Sequence, residues 1–309
     1  MTADKGTRGS SLGFLGLGAI GAPIAERLLR QAGDLVVFDP RPEATAAFAG
    51  RAETARSPAE VADRTDIVFA CITAPEHYRE AVLGGDGVIR GQRAKTYVHL
   101  GTSGTALVRE LAAELGGRGI ASLDAPMTGG PPRARSGSLT AMVAGERAVF
   151  DRVEPLMRAY ASKIVYLGER LGAAQVMKTV NNAISLANFA VASEAMVVGA
   201  KAGIAPEAML EVLNAGSGQN SATLTKIPDH VLPGRFDYGG ALRVVIKDLE
   251  LFQKEAGALG IAARLGAEVL KVYRATAAAG ADTDDMTTAI RPMERAAGVE
   301  IRGRPRRDG

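Results

Sequence analysis

The chain has 309 residues, 47% of them hydrophobic and 23% charged, with 5% aromatic residues and no Trp. That length favours two domains, the balance is that of a soluble globular protein, and the few aromatics argue against a platform for stacking nucleic-acid bases. The net charge of +3 is local, because residues 301–309 (IRGRPRRDG) hold four Arg and one Asp and the remainder is neutral, so the body lacks the footprint of a nucleic-acid binder.

The first half alternates strand-like and helix-like runs. Strands are predicted at 12–15, 35–38, 67–72, 97–100, 120–124, 140–144 and 164–167, with helices at 22–31, 42–49, 106–115 and 151–160. Strands alternating with helices of about ten residues imply βαβ units and a mostly parallel sheet. From Gly172 the pattern changes. Residues 173–201 contain no Pro, no Gly before Gly199, and apolar residues on nearly every face, which predicts one long buried helix. Helix-like stretches follow near 206–214, 240–258, 261–278 and 284–297, with no convincing strand. The expected layout is a dinucleotide-binding domain over 1–170, an all-helical domain over 171–300 entered through the long interdomain helix, and a disordered basic tail over 301–309.

Gly16-Leu17-Gly18-Ala19-Ile20-Gly21 is a G-x-G-x-x-G string. It follows a predicted strand and opens a predicted helix, the context that gives the string meaning. The first glycine permits a tight turn, the second lets a pyrophosphate approach the backbone, and the third lets helix and strand pack closely. Phosphates then meet the free N–H groups at the helix N-terminus. Asp39 ends the next strand, 18 residues after Gly21, where an acid can hold the ribose hydroxyls of NAD and repel the extra phosphate of NADP. Arg41 could soften that preference, and Asp39 could instead serve only its Asp-Pro turn. The fold class expected is therefore α/β, a Rossmann-type doubly wound parallel sheet followed by an all-α C-terminal domain, binding NAD with NADP as the alternative.

Two further stretches carry chemistry. Thr128-Gly129-Gly130 offers a hydroxyl and unobstructed backbone N–H groups after a strand, a plausible carboxylate cradle, although Gly-Gly-Pro-Pro is also strong turn chemistry. Lys178 and Asn182 are four apart and share a helix face. A lysine on a nearly all-apolar helix either has a depressed pKa suited to proton transfer or snorkels to water.

These stretches resemble motifs of the β-hydroxyacid dehydrogenases. Asp124-Ala125-Pro126-Met127-Thr128-Gly129-Gly130 resembles their D-A-P-V-S-G-G substrate segment. The run from Gly172 to Asn182, with Lys178, Asn181 and Asn182, resembles their G-x-G-x-x-x-K-x-x-N-N segment, and Lys247-Asp248-Leu249 their late K-D-L. The resemblance covers roughly residues 12–300 and extends to 6-phosphogluconate dehydrogenase. It implies a hydride transfer between C4 of a nicotinamide and the β-carbon of a small 3-hydroxy acid. The substrate carboxylate would sit on Thr128, Gly129 and Gly130. Lys178 would be the general acid/base and Asn182 would orient the substrate, with Asn181 beside it. Thr102 would lie near the nicotinamide, and Lys247 would close over the cofactor with Asp248 as its motif partner.

The sequence departs from the pattern at four places. Thr128 replaces Ser, Gly101 replaces the Ser of an S-T pair, His99 stands where the family has Asp, and Ala174 replaces a glycine. Cys71 is the single cysteine, so no internal disulfide forms, inert packing is expected of it, and a cytoplasmic setting fits. His77, His99 and His230 show no ligand spacing, so no metal is expected. The start MTADKGTRGSS has no signal-peptide pattern, and 179–193, with three Asn, is short and polar for a membrane span. The polar segment 217–221 either lines the substrate pocket or caps a helix. The competing readings are an NADPH-dependent imine or carbonyl reductase, which Lys178 and Asp39 oppose, and a non-catalytic nucleotide-sensing protein, which the intact glycines and Lys178 oppose. The expected partners are a small carboxylate substrate and a second copy of the chain, as a homodimer or homotetramer, with no nucleic acid and no membrane.

Overall fold

The computed structural model describes residues 10–303, so the first nine residues and all of the basic tail beyond Gly303 lie outside the described residues. The chain divides into two compact units, 1–178 and 179–309.

The first unit is built on six parallel strands: β1 (Leu12–Leu15), β2 (Val36–Phe38), β3 (Glu53–Thr54), β4 (Ile67–Ala70), β5 (Thr96–His99) and β6 (Ala121–Asp124). Their order across the sheet is β3-β2-β1-β4-β5-β6, with every neighbouring pair parallel. This is the doubly wound order whose direction reverses between β1 and β4. Alternate strand residues feed two separate cores. Phe14, Val37, Phe69 and Val98 pack on one face with Ile24 and Leu28 of α1 (Gly21–Ala32). Leu15, Val68 and Tyr97 pack on the other. There they meet Val61 of α3 (Pro58–Arg64), Tyr78 of α4 (Pro75–Leu83) and Leu111 of α5 (Thr105–Gly116). Burial on both faces is why these strands read as continuous apolar runs rather than alternating ones.

A second sheet was not expected. β7 (Met127–Thr128) pairs antiparallel with β8 (Leu139–Val143), which pairs parallel with β9 (Ala161–Tyr166). The short helix α6 (Gly130–Ser136) and α7 (Arg147–Met157) connect them. The strand pattern alone does not separate this mixed sheet from the parallel one, and α3, α4, α6, β3 and β7 lie outside the predicted elements. The predicted helix 42–49 is the shorter α2 (Pro42–Ala46).

Helix α8 (Ala173–Lys201) begins in the first unit and supplies the second with Phe189 and Met196 of its core. Around that core lie α9 (Pro206–Ala215), a π-wound segment (Ala222–Val231), α10 (Leu242–Ala258) and α11 (Arg264–Ala279). A 3-10 turn (Met286–Ile290) leads into α12 (Arg291–Ala297), so the helix expected over 284–297 is split in two. By length and composition α8 could cross a bilayer, but part of its apolar surface belongs to this core. The expectation that α8 is buried all round needs correction: Ile184, Val191 and Val198 are 59%, 62% and 65% exposed. Residues 301–303 also differ from a frayed tail. Ile301 is buried in the helical core and its N–H donates to Glu294 Oε1 at 2.6 Å.

Candidate active site

Because β1, β2, β4, β5 and β6 are parallel, their C-terminal ends share one edge, where open α/β sheets bind ligands. The three glycines of the first loop are required for three different reasons. Gly16 has φ +89°, and a Cβ there would strike the Cys71 carbonyl. A Cβ on Gly21 would strike the Gly16 carbonyl and approach the Phe14 ring at 3.2 Å, so this glycine lets α1 close on β1. Gly18 has nothing within 4 Å of a Cβ, so its surface is open. Ala19 is exposed beside it and Ile20 precedes the first turn of α1. Tight packing at the outer glycines and free space at the middle one is what a pyrophosphate against this loop needs, and the residues fit a bound dinucleotide.

Asp39 is buried at the end of β2. It accepts from the Leu17 N–H at 2.7 Å and from Arg41, whose Nε and Nη2 reach its two oxygens at 2.8 and 2.9 Å. Burial raises its pKa, but the hydrogen bonds from Arg41 and Leu17 outweigh burial and hold it below the ordinary carboxylate value. Asp39 thus clamps the glycine loop to β2, and its charge is already partnered by a half-exposed arginine.

After β5, Thr102 is partly buried on the loop 100–104. Two departures from the family pattern explain each other here. Tyr78 Oη accepts from the Ile72 N–H and donates to the Ala70 carbonyl, both at 2.9 Å, and a Cβ on Gly101 would run into that hydroxyl. The buried His99 stacks on Tyr78 with ring centroids 4.0 Å apart. Its Nε2 lies 2.8 Å from Ser103 Oγ, and its Nδ1 3.2 Å from Tyr97 Oη. Gly101 is therefore the residue that Tyr78 leaves room for.

The start of α8 is fastened to this region by two residues that the sequence did not single out as functional. Asp124, at the end of β6, accepts from the N–H groups of Gly172 and Gln175, each at 3.1 Å, and from Gln175 Nε2 at 2.7 Å. Gln175 also donates to the Gly101 carbonyl and accepts from the Ser103 and Gly104 N–H groups. Burial pushes the Asp124 carboxyl up to about 6, with the hydrogen bonds from Gln175 and Gly172 opposing the rise. Lys178 is partly buried on the next turn, three residues from Gln175 and hence on the same side of the helix. Ala174 has its methyl buried with Met142 and Ala144, so its departure from glycine is absorbed by packing.

Thr128 closes β7, Gly129 follows at φ +133°, and Gly130, at φ +69°, opens α6. All three are partly exposed. A side chain at Gly129 would collide with Arg133 and Leu139, so the loop admits only glycine there.

In the helical unit, Asn182 Nδ2 donates to Asp248 Oδ2 at 2.6 Å, and its Oδ1 accepts from Asn181 Nδ2 at 3.1 Å. Lys247 Nζ lies 2.9 Å from Asp248 Oδ1. Asp248 therefore sets the orientation of Asn182 and anchors Lys247, a role that the K-D-L motif alone does not reveal. In segment 217–221, Asn220 Oδ1 accepts from the Ala222 N–H at 2.8 Å, so a capping role is present. The Cys71 thiol is pushed up to about 12 by burial, in keeping with inert packing. Among the described residues no His, Cys, Asp or Glu cluster could hold a metal ion.

Two family models divide the chain. Residues 11–168 match the NAD binding domain of 6-phosphogluconate dehydrogenase, and 172–293 match the NAD-binding domain of NADP-dependent 3-hydroxyisobutyrate dehydrogenase. The 2-(hydroxymethyl)glutarate dehydrogenase of Eubacterium barkeri is 32% identical over 94% of this chain and 97% of its own. The mitochondrial 3-hydroxyisobutyrate dehydrogenase of Homo sapiens is 30% identical over 90% and 84%. The solved Mycobacterium tuberculosis 3-hydroxyisobutyrate dehydrogenase with L-serine superposes at a TM-score of 0.82 and is 27% identical, covering 92% of this chain and 99% of its own. Sequence order, sheet order and these likenesses agree that the chain belongs to the β-hydroxyacid dehydrogenase family of NAD(P)-dependent oxidoreductases.

Proposed function

We propose that the protein oxidises the β-hydroxyl of a small 3-hydroxy acid, or reduces the corresponding carbonyl, with Lys178 moving the proton. The observation that carries this reading is the seating of Lys178. Its helix is pinned at the preceding turn by Asp124 and Gln175, and one turn further on it carries an Asn182 held by Asp248. A general acid/base works when its geometry is fixed before substrate arrives. When bound, the nicotinamide supplies the hydride acceptor or donor, the part of the chemistry no side chain can provide. The protein's part is to hold the substrate carboxylate at Thr128, Gly129 and Gly130, orient the hydroxyl with Asn182, and exchange its proton at Lys178 Nζ. Relatives named for hydroxymethylglutarate and hydroxyisobutyrate support a 3-hydroxy acid as the substrate class.

Asp39 supports NAD as the preferred cofactor, and Arg41 supports tolerance of NADP. The single thiol, packed against the apolar core, fits a cytoplasmic setting. We also infer self-association, supported by Ile184, Val191 and Val198, which recur every seven residues along the exposed side of α8.

The test is nicotinamide absorbance with purified protein and a panel comprising 3-hydroxyisobutyrate, 3-hydroxypropionate, glycerate, threonate and serine, each with NAD⁺ and NADP⁺. Turnover of at least one acid is expected, faster with NAD⁺. Absence of turnover with every acid, from protein that still binds NADH, would contradict the reading.

A further inference from the structure

One buried charge in the helical unit has no acidic partner. Lys226 lies on the π-wound segment and is only 3% exposed. Its Nζ donates to Ser221 Oγ at 2.8 Å and to Ser185 Oγ at 3.2 Å, and it sits 5.4 Å from the centre of the Tyr238 ring. Among the described residues no carboxylate lies within ion-pair distance of it. Burial lowers its pKa to about 8, and no neighbouring acid offsets that effect. Hydroxyls and a ring face compensate an ammonium poorly for the loss of water, so an unpaired buried charge is normally completed by an anion. The surroundings leave a way in, because Ser221 is exposed and Ser185 and Tyr238 are partly exposed.

The location is informative. Ser185 follows Asn182 by three residues on α8, so the two share a face with Cβ atoms about 5–6 Å apart. An anion held by Lys226 and its serines would therefore lie one turn along the helix from the residue assigned to orient the substrate. A single ammonium balances one carboxylate, whereas a phosphate dianion would leave a buried negative excess.

We propose that Lys226, with Ser185 and Ser221, forms a subsite for a second carboxylate of the substrate, so that the enzyme selects hydroxy diacids over hydroxy monoacids. This rests on the assignment of Asn182 to the substrate site. The specificity of the reaction then comes from the helical unit, from a lysine in a stretch that lies between the predicted helices.

The experiment compares 3-hydroxyisobutyrate with the analogue in which a carboxyethyl group replaces its methyl, using the full chain and NAD⁺. The wild type is expected to favour the diacid by about tenfold or more in kcat/KM. In Lys226→Met that preference falls by ~10–100-fold, mainly through the KM for the diacid, as expected when one member of a buried charge pair is removed. Lys226→Arg, which keeps the charge, retains part of it. Glutarate alone should raise the melting temperature of the wild type but not of Lys226→Met. Equal losses on both acids, or a wild type indifferent to the extra carboxylate, would overturn the subsite. If Lys226→Met does not fold, the exposed Ser221→Ala provides the same comparison: a several-fold rise in diacid KM supports the subsite, and no rise overturns it. If no acid is turned over, the dehydrogenase reading fails separately, while the glutarate shift still decides the subsite.

Discussion

At the scale of single residues, the cofactor end of the site turns on the pair Asp39 and Arg41. A carboxylate at the end of β2 is a sequence-level sign of NAD, but the fork from Arg41 partly cancels its charge. Removing the arginine exposes the full repulsion between Asp39 and a 2′-phosphate. Arg41→Ala is expected to raise the NAD over NADP preference in kcat/KM by about tenfold, roughly 1.4 kcal/mol. An unchanged ratio would mean that Arg41 does not face the ribose. Asp124 gives a pH-dependent expectation. Its folded pKa is raised by burial, so the ionised form costs stability above about pH 6, and that cost is relieved as the pH falls toward the unfolded value. Asp124→Asn lacks this titration and also turns an amide N–H₂ toward backbone donors, costing about 1–3 kcal/mol. In thermal melts, the wild type's advantage over the variant should therefore widen between pH 7 and pH 5. A narrowing would contradict the upward shift.

At the scale of elements, the loop after β5 shows how a family motif can be rewritten without losing its place. Tyr78 on α4 occupies the volume of the missing serine side chain and bonds the end of β4, while His99 stacks on its ring. Gly101→Ser overpacks this spot and should cost about 1–3 kcal/mol. Combined with Tyr78→Phe, which deletes the hydroxyl in the way, the same change should cost about 1 kcal/mol less, measured as a coupling in denaturant unfolding. Additive effects would show that the two residues do not compete for the space. The glycine loop, the parallel strands and the extent of α8 were legible because each has a long or rigid local signature. β3 and β7 were not, since two residues carry no periodicity. The π-wound segment falls between the predicted helices, because its hydrogen bonding leaves no trace in composition and Pro228 argues against a helix there. The joining of Asp124 to Gln175 spans 51 positions, beyond any local pattern.

At the scale of the whole molecule, each unit buries its own apolar core, and α8 leaves a regular apolar stripe, Ile184, Val191 and Val198, outside them. Its seven-residue recurrence suits packing against another helix rather than solvent. Val191→Glu, at a position that is 62% exposed, should leave the fold intact and shift the protein toward monomer in light scattering at micromolar concentration. A wild type that is already monomeric there would contradict self-association through this face. The family was readable from four motifs in order. The substrate was not, because Lys226 stands in no motif and meets Ser185, 41 positions away, only in the folded chain.

In the proposed reaction the lysine on the second turn of α8 moves the proton. This is tested most directly by kcat for Lys178→Ala beside the wild type on the best substrate of the panel, with NADH binding followed by fluorescence in both proteins. In Lys178→Ala, kcat is expected to fall by ~10²–10⁴-fold while the Kd for NADH stays within a few-fold, the loss typical of a positioned acid/base. A variant that keeps kcat within tenfold of the wild type would show that the proton moves by another route.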